Sequence, residues 1–298
     1  MALSSPVTDQ PHRSKLRGFL EVMRFDKPIG TFLLAAPTAW ALLIANEGWP
    51  NWQLAVIFGL GVVVMRAAGC TANDLADRNL DGFVERTRTR PLVTGVISTV
   101  EAIMLLLALL LTALGLVLLT NPLTIQLSFV GVALSMVYPF MKRVTYLPQF
   151  VLGAAFSWAI PMAFSASIGY LPSGLWWLFA ANLLWTVVYD TQYAMVDRED
   201  DLAVGIKSTA ILFGELDKRV IAFMQAASIG CFIACGQAFS LGLPYHAAIG
   251  GVAAMFVWHQ WLIRDRDRTA CFTAFNQSKW IGAIILAGLV GQFAIPGV

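Results

Sequence analysis

Apolar residues in this chain of 298 residues are gathered into long uninterrupted blocks, and that constrains it more than any other feature. A helix rises about 1.5 Å per residue, so a bilayer core of about 30 Å takes about 20 helical residues to cross. Blocks of that order run over 29–47, 54–76, 98–119, 122–140, 147–169, 174–197, 219–241, 245–263 and 279–297. The sequence therefore predicts an all-α polytopic membrane protein with nine transmembrane helices in a single domain over 1–298. With 58% hydrophobic and 13% charged residues, the chain falls far short of the charge of a soluble surface, about 25%. That excludes a soluble enzyme, a nucleic-acid-binding module and a disulfide-stapled secreted domain. Cys70, Cys231, Cys235 and Cys271 lie in or beside apolar runs without C-x-x-C spacing and read as small packing residues.

The basic residues alternate between connections. The segments Asn46–Asn51, Thr120–Pro122, Gly169–Gly174 and Leu241–His246 hold no Lys or Arg, whereas Arg13–Lys27, Arg78–Arg90, Lys142–Arg143, Arg198–Arg219 and Arg264–Lys279 hold nearly all of it. That bias predicts a cytoplasmic N-terminus and a C-terminus on the far side. Met1–Arg17 has no apolar stretch, so it is not read as a cleavable signal peptide. Residues 1–27 are expected to form a cytoplasmic segment in which Lys15–Phe25, with Leu16, Phe19, Leu20 and Met23 on one side, makes an interfacial helix. Ser98 and Glu101 have the spacing of a capping box at the start of the third span.

The acidic residues carry the chemistry. Of 18 Asp and Glu, eight fall into two clusters at predicted cytoplasmic helix ends: Asp74, Asp77 and Asp81, then Asp190, Asp197, Glu199, Asp200 and Asp201. Asn73, Asp77 and Asp81 share one helix face, with Asp74 turned away by about 100°. Tyr193, Asp197 and Asp201 repeat the pattern four spans later, which predicts two four-helix pseudo-repeats plus one helix around a central cavity. Facing carboxylate stripes need cations between them, and magnesium is the hard ion suited to Asp and Asn oxygens beside a phosphate. Arg86, Arg88 and Arg90 follow the first stripe and Lys207 the second, as basic flanks for a diphosphate. The plainer alternative is a pair of solvated helix ends. A transporter would instead set its acids near the bilayer midplane.

Asn73-Asp74-Leu75-Ala76-Asp77-Arg78-Asn79-Leu80-Asp81 resembles the N-x-x-x-D-x-x-x-D motif of the UbiA superfamily of intramembrane prenyltransferases, and Asp197-Arg198-Glu199-Asp200-Asp201 resembles its D-x-x-x-D motif. The resemblance runs from Arg24-Phe25-Asp26-Lys27-Pro28-Ile29-Gly30 through nearly the whole chain. Tyr138-Pro139-Phe140-Met141-Lys142-Arg143, Leu147-Pro148-Gln149, Ile160-Pro161-Met162-Ala163-Phe164 and Tyr189-Asp190-Thr191-Gln192-Tyr193 resemble the branch that prenylates 4-hydroxybenzoate for ubiquinone. The resemblance implies magnesium held by Asn73, Asp77, Asp81, Asp197 and Asp201, diphosphate contacts from Arg90 and Lys207, and the acceptor carboxylate on Arg143. The plainer alternative for Arg143 is a cytoplasmic anchor, a role that the adjacent Lys142 fits better. The resemblance also implies polyprenyl diphosphate and 4-hydroxybenzoate as substrates, a bacterial inner-membrane setting within the lipid bilayer, and a cytoplasmic active-site face. Rivals are a sibling enzyme with another acceptor, differing near Arg143, and a CDP-alcohol phosphotransferase, whose Asp-Gly followed by Ala-Arg is not met by Asp81-Gly82-Phe83-Val84-Glu85-Arg86. Finally, Arg66 and Asp190 each lie seven residues before a stripe residue, and we expect them to pair beneath the metal site as a structural link.

Overall fold

The computed structural model describes residues 14–83 and 87–294. Arg13, Val84, Glu85 and Arg86 lie outside them, and so does the end of the last expected span. Helix α1 (Lys15–Val22) starts where the Ser14 side chain accepts a hydrogen bond from the Arg17 amide. Its Gly18 and Val22 pack on Val96, Ile97 and Ala102, and Lys15 pairs with Glu101. The opposite side leaves Leu16 and Leu20 exposed, so α1 docks on the protein and turns an apolar edge outward.

Each of the nine expected spans falls on helix in the described residues. They are α2 (Ile29–Ala45), α3 (Trp52–Asp77), α4 (Thr99–Val117), α5 (Pro122–Val144), the pair α6 (Pro148–Ser157) and α7 (Ala159–Ile168), α8 (Leu175–Val196), α11 (Asp217–Ala238), α12 (Leu243–Leu262) and α13 (Arg268–Ala294). Two short helices, α9 (Arg198–Val204) and α10 (Thr209–Phe213), lie between α8 and α11. By length and composition alone, five segments suffice to cross a membrane: Trp52–Asp77, Thr99–Val117, Pro122–Val144, Pro148–Ile168 and Thr209–Ala238.

The fifth expected span is interrupted at Trp158. Pro161 has no N–H to return to the Ser157 carbonyl, so the ladder lapses there. Elsewhere the helix ends follow the side chains that cap them. Ser98 and Glu101 exchange hydrogen bonds as a complete capping box for α4, and Asn121 caps α5 just before Pro122.

The largest core lies among α2, α7, α8, α11, α12 and α13, around Trp40, Trp185, Phe164, Phe232 and Tyr245. Trp40 and Trp185 rings lie 5.5 Å apart, and the Trp40 indole donates to the Gly282 carbonyl at 3.1 Å. Where apolar surface gains nothing by leaving lipid, close backbone approach supplies the attraction. Gly288 illustrates this, since a Cβ there would stand 2.5 Å from the Ala248 Cβ and 3.0 Å from the Pro244 carbonyl. By contrast, α4 presents Ile103, Met104, Leu107 and Leu111 outward. In each half the Asp-bearing helix packs against the next long one, α3 on α4 and α8 on α11. Gly288→Val should force α12 from α13 and lower the detergent melting temperature by an overpacking cost of about 1–3 kcal/mol. Gly250→Val, where a Cβ meets nothing within 4 Å, should cost much less.

Candidate active site

A cavity of about 1260 Å³ opens between α2, α3, α5, α6, α8 and α13. Its polar end is lined by Arg24, Asn73, Asp74, Asp77, Asp81, Arg90, Lys142, Asp197, Asp201 and Lys207. The rest includes Phe58, Leu110, Leu114, Phe129, Phe156 and Met162, so one chamber joins a charged mouth to an apolar body. The two stripes read from the sequence thus face one space. α3 delivers the first at its C-terminal end and hands Asp81 to a short 3-10 turn, Asp81–Phe83. The second begins at the α8 terminus and continues into α9.

Cations are woven among these acids. Lys142 pairs with Asp77, which is buried, and Arg143 reaches the same carboxylate at 3.4 Å. Arg90 binds Asp81 at 2.6 Å and Asp74 at 3.1 Å, while Arg24 binds Asp74 at 2.6 Å. Asp74 therefore ties the end of α1 and the loop after Asp81 to α3. Burial pushes the Asp81 carboxyl above its ordinary range, with Arg90 opposing that and Asp77 reinforcing it. The Thr87 hydroxyl donates to the Asp81 carbonyl at 2.8 Å and fixes the turn.

The second motif is tied to the first half of the chain. The Lys207 amide donates to the Lys142 carbonyl at 2.9 Å, and the Thr209 amide donates to Gln149 Oε1 at 3.0 Å. Arg198, directly after Asp197, pairs with Asp217, which Arg266 also holds at 3.0 Å. Thus α9, α11 and the turn before α13 are held at one buried carboxylate.

Among the described residues no three His, Cys, Asp or Glu side chains are gathered closely enough to hold a metal by themselves. Such a cage is not what magnesium asks for, because it commonly takes one or two carboxylates and completes its shell with water and substrate phosphate. The oxygen donors of Asn73, Asp77, Asp81, Asp197 and Asp201 fit that requirement.

Two expectations are corrected. Arg143 does not line the cavity; it lies in a neighbouring groove with Leu75, Ala76, Met136 and Phe140 and donates to the Ala76 carbonyl. Lys142 faces the chamber instead, for it follows Tyr138 by four residues and shares its face of α5. Arg66 and Asp190 both line the chamber, yet no ion pair within 4 Å joins them among the described residues. The Arg66 side chain crosses to α2, where Gly30 leaves it room: a Cβ at that position would lie 2.2–2.4 Å from the guanidinium. The Phe156 ring stands 6.0 Å from it, and among the described residues its buried Nε has no hydrogen-bond partner. Arg24, Lys142 and Tyr138 are site residues to which the sequence reading assigned no catalytic role; their signal was the i, i+4 pair on α5 and a cation just ahead of the first span. Arg88 is exposed, and Arg86 lies outside the described residues.

The fold and the site together define a helical membrane protein that concentrates paired carboxylates and cations at the mouth of a largely apolar chamber. The profile of the UbiA prenyltransferase family matches residues 34–283, and the chain belongs to that family. It is 52% identical over 279 residues to a 4-hydroxybenzoate octaprenyltransferase of Vibrio campbellii, covering 94% of this chain and 98% of that one. A protein of the same name from Pseudomonas syringae pv. syringae is 52% identical over 277 residues, 93% of this chain and 94% of that one. Among solved structures, a UbiA homolog from Aeropyrum pernix superposes with a TM-score of 0.78 at 26% identity, covering 87% of this chain and 97% of that one. A UbiA homolog from Archaeoglobus fulgidus bound to GPP and Mg2+ shares the fold with a TM-score of 0.71 at 19% identity, over 93% of this chain and 100% of that one.

Asp77→Asn should abolish turnover in the protein that remains folded, because it removes a carboxylate we propose as a magnesium ligand, and it should also cost some stability by leaving Lys142 without its partner. Asp74→Asn should act chiefly on stability, since it leaves Arg24 and Arg90 uncompensated, a loss of about 3–5 kcal/mol for a buried pair. Melting curves beside initial rates separate the two; equal kinetic loss with unchanged melting would refute the division.

Proposed function

We propose that this protein transfers a polyprenyl group from polyprenyl diphosphate to the ring carbon ortho to the hydroxyl of 4-hydroxybenzoate, with magnesium, giving 3-polyprenyl-4-hydroxybenzoate and diphosphate for ubiquinone biosynthesis. The observation that carries this reading is the chamber itself, in which two carboxylate stripes meet above an apolar body. The names of the close relatives support the acceptor, and the GPP and Mg2+ held by the Archaeoglobus fulgidus homolog support the donor and the metal.

Asn73, Asp77, Asp81, Asp197 and Asp201 would hold magnesium, which when bound neutralises the diphosphate and makes it a better leaving group. Arg90, Lys207, Lys142 and Arg24 offer cations to the remaining diphosphate oxygens. As the allylic C–O bond breaks, the aromatic faces of Tyr193 and Phe275, with ring centroids 4.6 Å apart beside the stripe, can attract the developing carbocation. The apolar walls keep water from it.

In place of Arg143 we assign the acceptor carboxylate to Arg66. A guanidinium inside a membrane-embedded chamber with an unpartnered Nε calls for an anion. Localisation in a bacterial inner membrane, with the N-terminus and site facing the cytoplasm, rests on the Lys and Arg bias of the connections.

The test is purified protein with magnesium, radiolabelled 4-hydroxybenzoate and prenyl diphosphates of graded length. Prenylated 4-hydroxybenzoate that vanishes with chelator is the expected result, and no product at any length overturns the reading. Arg66→Gln should raise KM for 4-hydroxybenzoate at least about tenfold, with little change for the prenyl diphosphate. Gly30→Ala should shift KM the same way by displacing the guanidinium, whereas Arg143→Gln should lower kcat through Asp77 and spare the acceptor KM.

A further inference from the structure

Asp190 is a carboxylate of α8 that the proposed chemistry leaves without a role. It lines the chamber seven residues before Asp197, on nearly the same helix face and about 10.5 Å of helix below the mouth. Among the described residues its side chain makes no ion pair and no hydrogen bond. An ionisable group kept at such depth is costly, and it marks a functional position. Arg66 lies across the chamber, close enough for the two charges to interact yet too far for an ion pair. The other ionisable groups facing it are Tyr138 on α5, Tyr189 on α8 and Asp197 just beyond the α8 end, while Tyr193 on α8, Asp77 on α3 and Lys279 on α13 line the same chamber. From α6 and α13 come the neutral Gln149 and Asn276.

A cation and a carboxylate separated across a cavity match a molecule with an anion at one end and a hydrogen-bond donor at the other. 4-Hydroxybenzoate has its carboxylate and its hydroxyl at opposite ends of one rigid ring. With the carboxylate on Arg66, the hydroxyl can meet Asp190, and the carbon to be prenylated is the hydroxyl's neighbour. This rests on the reading of the acceptor given above. We propose that Asp190 is the base that takes the phenolic proton of the acceptor as the carbon–carbon bond forms.

The electrons balance as follows. The allylic C–O bond breaks with its pair left on the diphosphate, and the ring carbon supplies the pair for the new C–C bond. The phenolic O–H pair becomes the carbonyl bond of a neutral dienone while its proton passes to Asp190. The proton on the newly substituted carbon then goes to the released diphosphate, and Asp190 returns its proton to the oxygen as the ring regains aromaticity. Without a base, attack would leave a protonated ketone, a cation, in a chamber of low dielectric. General base catalysis of this kind contributes about 10²–10⁴-fold.

The experiment compares full-length wild type with Asp190→Asn, using 4-hydroxybenzoate and 3-fluoro-4-hydroxybenzoate, whose fluorine acidifies the phenol. Asp190→Asn should lose at least about 100-fold in kcat near neutral pH, with KM for 4-hydroxybenzoate within about threefold. Its residual rate should climb with pH as the acceptor ionises by itself, and the fluorinated acceptor should move that climb to lower pH; the wild type should show no such displacement. A variant within about threefold of wild type overturns the proposal. So does a loss that is the same at every pH for both acceptors, which is the mark of a structural role. Should Asp190→Asn fail to purify folded, Asp190→Ser carries the same test. If wild type does not prenylate 4-hydroxybenzoate, the acceptor assignment falls; if it does and Asp190→Asn keeps its rate, the base assignment alone falls.

Discussion

The mutual repulsion of carboxylates crowded at one end of a low-dielectric chamber is the constraint around which the polar half of this protein is built. Each buried acid of the first cluster is answered by a cation from another part of the chain: Asp77 by Lys142 of α5, Asp74 by Arg24 beyond α1, and Asp81 by Arg90 of the following loop. Because charges buried without compensation are strongly unfavourable, these contacts fix where α1, residues 87–91 and the end of α5 come to rest. In the proposed reaction a charged diphosphate with its metal would enter a site whose partners are already in place, and it would compete with these internal pairs for the same groups. Positioning and charge neutralisation are in this way one arrangement.

Spans and stripes were legible because both depend only on local periodicity. The apolar blocks had to be helical for want of any other way to satisfy a backbone in lipid, and Asn73, Asp77 and Asp81 had to share a face by helical spacing alone. The Ser98 and Glu101 cap was equally local. Whatever depends on a second helix was not legible. Lys142 and Arg143 are adjacent in sequence, and which of them faces the chamber is decided by how α5 is rotated against its neighbours. Arg66 is long enough to climb α3 or to cross to α2, and the missing side chain of Gly30 settles the matter. Nor did spacing disclose that Asp74, rotated about 100° from the stripe, is clasped by two guanidinium groups.

The contrast between the two ends of the chamber explains why this chemistry is housed in a membrane. A polyprenyl chain is apolar along its whole length, while the diphosphate at its head requires cations and hard oxygen ligands. The chamber runs from Arg24, Lys142 and Lys207 at the mouth to Leu110, Leu114 and Phe129 within, and so matches both parts of such a molecule. α4 supplies apolar residues to the cavity and to the outer surface alike.

The backbone bond from Lys207 to the Lys142 carbonyl has a meaning for biogenesis. Chains are made from the N-terminus, so α3 and α5 can enter the bilayer and join Asp77 to Lys142 well before residues 197–209 leave the ribosome. During that interval the first carboxylate stripe stands complete in itself, neutralised by its own half of the chain. The second half arrives later and is clipped into register at the end of α5. Assembly of the polar mouth is thereby postponed until well past the midpoint of the chain, and a nascent chain truncated before then holds only its first half.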